Sequence, residues 1–106
     1  CIFQPHTYSR TKSLFEQFSI SFTDVDTLIL TNIFSSLREK KDPSVSSEIL
    51  TKETKKHIRE VFFMPELSDV VEYINKQKFG KDTIVITMGA GDVYKISEKL
   101  KVKSYG

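Results

Sequence analysis

Apolar residues along this chain alternate between two rhythms. Short β-favouring runs are separated by stretches in which apolar positions recur every three or four residues. Cys1, Ile2 and Phe3 read as the end of an apolar strand, closed by Pro5. Leu14, Phe15, Phe18 and Phe22 then fall on one helical face, and Ser13 with Glu16 has the spacing of a capping box. Thr27, Leu28, Ile29, Leu30 and Thr31, bounded by Asp24, Asp26 and Asn32, predict a second, buried strand. The polar stretch from Phe34 to Pro43 predicts a surface loop. Ser46 or Ser47 is placed to cap a helix reaching about Arg59, with Ile49, Leu50 and Ile58 on its apolar face. Val61 to Met64 predict a third strand. Pro65 suits the first position of the next helix, where Leu67, Val70, Val71 and Ile74 follow the i, i+3, i+4, i+7 pattern until Gly80 stops it. Thr83 to Met88 form the most continuous apolar run, a strand expected to be covered on both faces. A last helix from about Asp92 to Lys101 would bury Val93, Ile96 and Leu100.

Strand–helix alternation of this kind predicts an α/β fold, a Rossmann-like three-layer domain. Its mainly parallel sheet has about four strands, near 1–4, 27–31, 61–64 and 83–88, with helices on both faces. Four strands make a narrow sheet, and the chain begins inside an apolar strand. The expectation is therefore one domain over 1–106, a piece of a larger protein lacking N-terminal elements of its sheet.

Composition narrows the function classes. A length of 106 residues with 39% hydrophobic and 28% charged residues suits one folded domain. The net charge of +2, with 16 basic residues interleaved among 14 acidic ones, gives no clustered basic face and argues against nucleic acid as a partner. No apolar run approaches the roughly 18 residues of a spanning helix, so membrane insertion is not expected. A single cysteine excludes a disulfide framework and fits a reducing cytoplasm. No His or carboxylate grouping has metal-ligand spacing, so no metal site is expected.

In an open parallel sheet, ligands bind beyond the carboxyl ends of the strands. That rule selects three loops: Gln4 to Thr11, Ser35 to Lys40, and Gly89 to Asp92. The first places His6, Arg10 and four hydroxyl side chains ahead of a helix, a composition suited to an anion. It equally suits a polar turn capped by Thr7 or Ser9. Gly89-Ala90-Gly91-Asp92 is not a dinucleotide fingerprint, because Tyr94 stands where the third glycine belongs and the motif follows the last strand. It is a tight turn whose bare backbone can approach a ligand, or one that needs only glycine dihedrals. Arg38, Glu39, Lys40 and Lys41 read as a solvated charge run, His57 as an exposed side chain, and the phenylalanines, Phe62 and Phe63 included, as core. Cys1 and His6 lack the partners of an activated nucleophile, so no catalytic residue is expected in this chain.

Together the loops resemble a specific signature. Phe3-Gln4-Pro5-His6-Thr7-Tyr8-Ser9-Arg10-Thr11 is similar to the F-Q-P-H-x-[YF]-[ST]-R-[TL] motif in the C-terminal domain of the Mur ligase family, in its alanine-adding branch. The likeness continues through Val25-Asp26, the Ile33 to Glu39 stretch, Val45-Ser46 and Met88-Gly89-Ala90-Gly91-Asp92, and so covers almost the whole chain. Thr7 stands where many members carry arginine, which shifts weight onto His6 and Arg10.

The resemblance implies the C-terminal, amino-acid-binding domain of a cytoplasmic bacterial ligase of peptidoglycan biosynthesis, here without the first strand and helix of that domain. It implies an ATP- and Mg2+-dependent reaction joining L-alanine to UDP-N-acetylmuramate through an acyl phosphate, with the ligase's own central ATPase and N-terminal UDP-sugar domains as partners. It also implies that the L-alanine carboxylate is held by His6, Thr7, Tyr8 and Arg10 with Gly89, Ala90, Gly91 and Asp92, and that Arg38 and Glu39 lie near the nucleotide. The chain has no G-x-x-x-x-G-K-[ST], so alone it should bind no ATP and be inactive. The alternative is a non-enzymatic, flavodoxin-like α/β module that binds a partner protein or a small anion.

Overall fold

The computed structural model describes residues 1–33, 45–77, 83–89, 93, 95 and 96. Strand β1 (Ile2–Gln4) is followed by helices α1 (Tyr8–Ser13) and α2 (Phe15–Ser21), then β2 (Thr27–Leu30), α3 (Ser47–Thr54), β3 (Glu60–Phe63), α4 (Leu67–Lys76) and β4 (Thr87–Gly89). The four strands form one sheet in the order β3-β2-β1-β4, and every pairing is parallel. The predicted α/β architecture is therefore present, with β1 in the interior of the sheet.

Side-chain alternation along β1 and β2 sorts the core into two halves. Phe3, Leu28, Leu30 and Val61 face Phe22, Leu50 and Ile58, with Phe15 and Phe18 packed at the margin. Phe3 meets Phe18 and Phe22 with ring centroids 5.3 and 5.1 Å apart, in tilted contacts. On the other face Ile2 and Ile29 pack against Val70 and Ile74 of α4 and against Val93 and Ile96. Helices thus cover both faces. Full burial of a side chain such as Leu28 or Leu30 stabilises the fold by about 1.5–3 kcal/mol.

Buried hydroxyls are satisfied locally. Thr51 and Thr54 donate to the carbonyls of Ser47 and Leu50 at 2.6 and 2.7 Å, and Ser47 donates to the carbonyl of Thr31, tying α3 to the end of β2. Ser46 caps α3 by accepting from the Ile49 amide at 3.1 Å, as expected of one of the two serines. On α4 the exposed Glu72–Lys76 pair, 2.8 Å apart, lowers the glutamate's pKa and raises the lysine's, through their hydrogen bond first and their opposite charges second.

Several expectations are corrected. The single helix after Pro5 is divided at Leu14, and Ser13 donates its hydroxyl back to the Arg10 carbonyl, so the Ser13–Glu16 capping box does not form. Helix α3 ends at Thr54, well before Arg59. Pro65 precedes α4, whose N-cap is Glu66, because the β3 ladder runs on through a Met64 amide bond to the Leu30 carbonyl at 2.9 Å. Phe62 is 37% exposed and rests on Tyr73, with centroids 5.6 Å apart, instead of lying in the core. The strand expected at 83–88 is paired only over Thr87–Gly89. On its face, Ile84, Ile86 and Met88 are 81%, 51% and 46% exposed, so this apolar run is covered on one side and not on both. The expected loop at 34–43, the Gly80 stop and Leu100 of the last helix lie outside the described residues. Val93 and Ile96 are buried as expected, and His57 is exposed.

A candidate ligand edge at the switch point

The order of the strands decides where a ligand can enter. From β1 the chain builds outward through β2 to β3, then returns to the opposite flank of β1 to lay down β4. Connections leave β1 and β4 towards opposite sides, which makes the carboxyl ends of these two strands the topological switch point. Gln4 and Gly89, their last residues, are register partners. Two loops distant in sequence therefore start side by side, and the structure brings the His6-to-Arg10 segment next to Gly89. Ala90, Gly91 and Asp92 lie outside the described residues, as do Arg38 and Glu39.

The approach of the two strands is close. Gly89 has φ +120°, and a Cβ placed on it would stand 2.2 Å from the Gln4 carbonyl oxygen, so both conformation and space require glycine. Sequence reading left open whether this glycine served a turn alone; the observed constraint is contact with the β1 backbone.

Beyond Gln4, Pro5 is buried and His6, Thr7 and Tyr8 are half-buried. Thr7 has φ 60° and ψ 148°, a region that side chains with a Cβ rarely occupy. Three bonds hold it there. Its Oγ1 accepts from the Arg10 amide at 3.2 Å, and its carbonyl accepts from the Thr11 amide and hydroxyl at 3.1 and 2.6 Å. Thr7 is thus the helix cap, which matches the turn reading of this loop, and its hydroxyl oxygen is engaged. Helix α1 has only six residues, so the aligned dipole at its start is short. Any anion bound here would depend on the Arg10 guanidinium, which is exposed and has no ion pair among the described residues.

One residue at this edge escaped the sequence reading. Gln4 Oε1 is buried and accepts no hydrogen bond among the described residues. Gln4 stood within the loop selected by the strand-end rule, but a neutral amide has neither the charge nor the nucleophilicity that singled out its neighbours.

Two cavities lie elsewhere. One, about 500 Å³, opens between Lys12, Phe15, Val45 and Ile49, beside α2 and the start of α3. The other, about 380 Å³, lies at the amino ends of β1 and β2, among Cys1, Asp26, Thr27, Tyr73 and Ile84. There the backbone nitrogen of Cys1 donates to the Thr27 carbonyl at 2.8 Å. Strand-end logic places ligand chemistry at the opposite edge of the sheet from this second cavity. Among the described residues, no three His, Cys, Asp or Glu side chains group as metal ligands, and no helix is long and apolar enough to cross a membrane.

Topology defines a doubly wound α/β domain of Rossmann-like class, with the polar His6-to-Arg10 segment next to Gly89 at the switch point. No family model matches the chain. Over 92% of its length it is similar to curated bacterial proteins named UDP-N-acetylmuramate–L-alanine ligase. It is 43% identical to the one from Acetivibrio thermocellus, 46% to that of Clostridium acetobutylicum and 43% to that of Clostridium tetani. The matched segment is 20%, 21% and 21% of those relatives, so the chain spans about a fifth of their length. The motif-based resemblance is borne out: the chain is a homologue of a domain-sized portion of the UDP-N-acetylmuramate–L-alanine ligases, consistent with their C-terminal domain.

Proposed function

We propose that residues 1–106 are the amino-acid-positioning domain of a ligase that joins L-alanine to UDP-N-acetylmuramate in the bacterial cytoplasm, as a step of peptidoglycan synthesis. The observation that carries this reading is the juxtaposition of the His6-to-Arg10 loop and Gly89 at the switch point, in a chain similar to proteins named for that reaction. Neither the described residues nor the sequence supplies a metal cluster or a phosphate-cradling Gly-Lys loop. ATP and Mg2+ would accordingly be held by the central ATPase domain, and UDP-N-acetylmuramate by the N-terminal one. In the proposed reaction the alanine nitrogen attacks the carbonyl of an acyl phosphate. The C–N bond forms, the C–O bond to phosphorus breaks, inorganic phosphate departs with the electron pair, and the amine loses a proton.

This chain's part is to present the nucleophile. Arg10 offers a fork of N–H donors to the alanine carboxylate, His6 a single ring N–H, and Tyr8, Thr7 and Gly89 lie along the same edge. A hydrogen bond to a charged group is worth roughly 1.5–3 kcal/mol, so Arg10→Ala should raise the KM for L-alanine about 10- to 150-fold and leave that for ATP unchanged. His6→Ala should act the same way, more weakly. Steady-state kinetics of the full-length ligase, with melting curves alongside, decides the matter. An unchanged alanine KM with a lowered Tm would assign both residues to holding the loop. The 106-residue chain alone should show no alanine-dependent ATP hydrolysis. No observation favours the non-enzymatic module.

A further inference from the structure

We infer that the sheet face over β4 is a docking surface for the part of the ligase chain that runs into Cys1, which lays a helix on that face and a parallel strand along the outer edge of β4. The inference rests on the reading above, in which residues 1–106 are one domain of a longer chain. Its basis is an apolar row open to solvent. Met88 is the register partner of Phe3, and its sulfur lies 3.6 Å from the Cys1 thiol, so it faces the layer that holds Phe3, Phe22 and Leu50. Alternation puts Ile86 and Ile84 on the same side, whereas Val85 packs into the opposite core with Ile2. Over β1 and β2 this layer buries Phe3, Leu28 and Leu30, but Ile84, Ile86 and Met88 stay exposed. Single exposed apolar residues are ordinary; three in one row at a sheet edge form a surface that proteins cover.

Crossover handedness says what covers it. The chain passes from β1 to β2 and on to β3 in one direction across the sheet, with α2 and α3 on the Phe3 face. It returns from β3 to β4 in the other direction, with α4 on the Ile2 face. Both are the same hand, the one parallel crossovers take. A strand outside β4 connects to β1 in the β1-to-β2 direction, so its helix falls on the Phe3 face, over Ile84, Ile86 and Met88. A strand beyond β3 would send its helix to the Ile2 face, which α4 already covers. In the described sheet β4 stands at the edge, where a parallel strand can pair. The cavity of about 380 Å³ lies beside Cys1, bounded by Asp24 to Thr27 on one flank and Thr83 to Ile86 on the other, where a longer β1 would continue. A second copy pairing its own β4 by a twofold axis would satisfy the edge and leave the row on the face bare.

The test uses the full-length ligase and two readouts. Ile84 is 81% exposed, so an uncovered Ile84→Cys would react with a maleimide at close to the rate of the urea-unfolded protein. We expect it to react at least about 10-fold more slowly. In the second readout the unsubstituted ligase carries photo-methionine, and crosslinks from Met88 are mapped by mass spectrometry in a mixture of isotope-labelled and unlabelled enzyme. They should end in the same chain, within about 40 residues before Cys1, the span a strand–helix unit needs. Labelling of Ile84→Cys within about threefold of the unfolded rate would overturn the inference. So would crosslinks that join two copies, that end elsewhere in the ligase, or that fail to form. Neither readout needs turnover, so the ligase reading stands or falls separately, on the alanine KM of Arg10→Ala.

Discussion

Replacing Gly89 by alanine tests whether β4 truly closes against the end of β1. Two penalties follow from the geometry. The first is conformational: at φ +120° an L-residue pays for a sparsely populated region, about 1–3 kcal/mol. The second is steric. The new Cβ would lie 2.2 Å from the Gln4 carbonyl oxygen and 3.0 Å from its carbonyl carbon and amide nitrogen. These are backbone atoms, so no rotamer change relieves the overlap and the strands must separate, a distortion of about 1–3 kcal/mol. The sum is roughly 2–6 kcal/mol, against the roughly 5–16 kcal/mol available to a domain of this length. At about 4–8 °C per kcal/mol the Tm should fall by at least about 8 °C. Thermal and urea unfolding followed by far-UV circular dichroism measures this, with Met88→Ala, at an exposed neighbouring position, as the control. A shift below about 4 °C for Gly89→Ala would refute the close approach and the switch-point geometry built on it.

Two further substitutions probe the loop and the caps. Thr7→Gly should stabilise the protein by about 0.5–2 kcal/mol, since relief of the positive-φ strain outweighs the lost side-chain cap and the extra freedom of glycine in the unfolded chain; a loss of stability in urea melts would show that Thr7 is unstrained. Ser46→Ala should cost about 1 kcal/mol by leaving the Ile49 amide without its acceptor, and an unchanged unfolding midpoint would count against the cap.

The fold was legible because its periodicity is clean. Leu67, Val70, Val71 and Ile74 mark α4 without ambiguity, and the β-branched runs mark β1, β2 and β3 to within a residue or so. What failed were features set by neighbours and not by local pattern. The run from Thr83 to Met88 reads as doubly covered because its residues are uniformly apolar, yet coverage depends on which helices lie across that flank of the sheet. Phe62 looks like core for the same reason, but on the outer strand it stays 37% exposed beside Tyr73. At the ligand edge, charge and hydroxyl content identified His6, Thr7 and Arg10, and the glycine motif identified Gly89. The burial of the Gln4 amide oxygen and the positive φ of Thr7, held by bonds to Arg10 and Thr11, left no trace in composition, since neither depends on charge or hydroxyl content.

The placement of β4 beside β1 also fixes the order in which the molecule can be completed. Ile2 pairs with Ile29 about 27 residues away, but with Thr87 only across about 85. Closing the larger loop costs about 1 kcal/mol more in chain entropy, so the β1–β2 pair has the advantage of locality and the β1–β4 pair comes late. On a ribosome the disparity is absolute, because Gln4 has no Gly89 to meet until nearly the whole sequence has emerged. A nascent or truncated chain can therefore build the three strands β1, β2 and β3 and much of the core, and still lack the β1–β4 switch point.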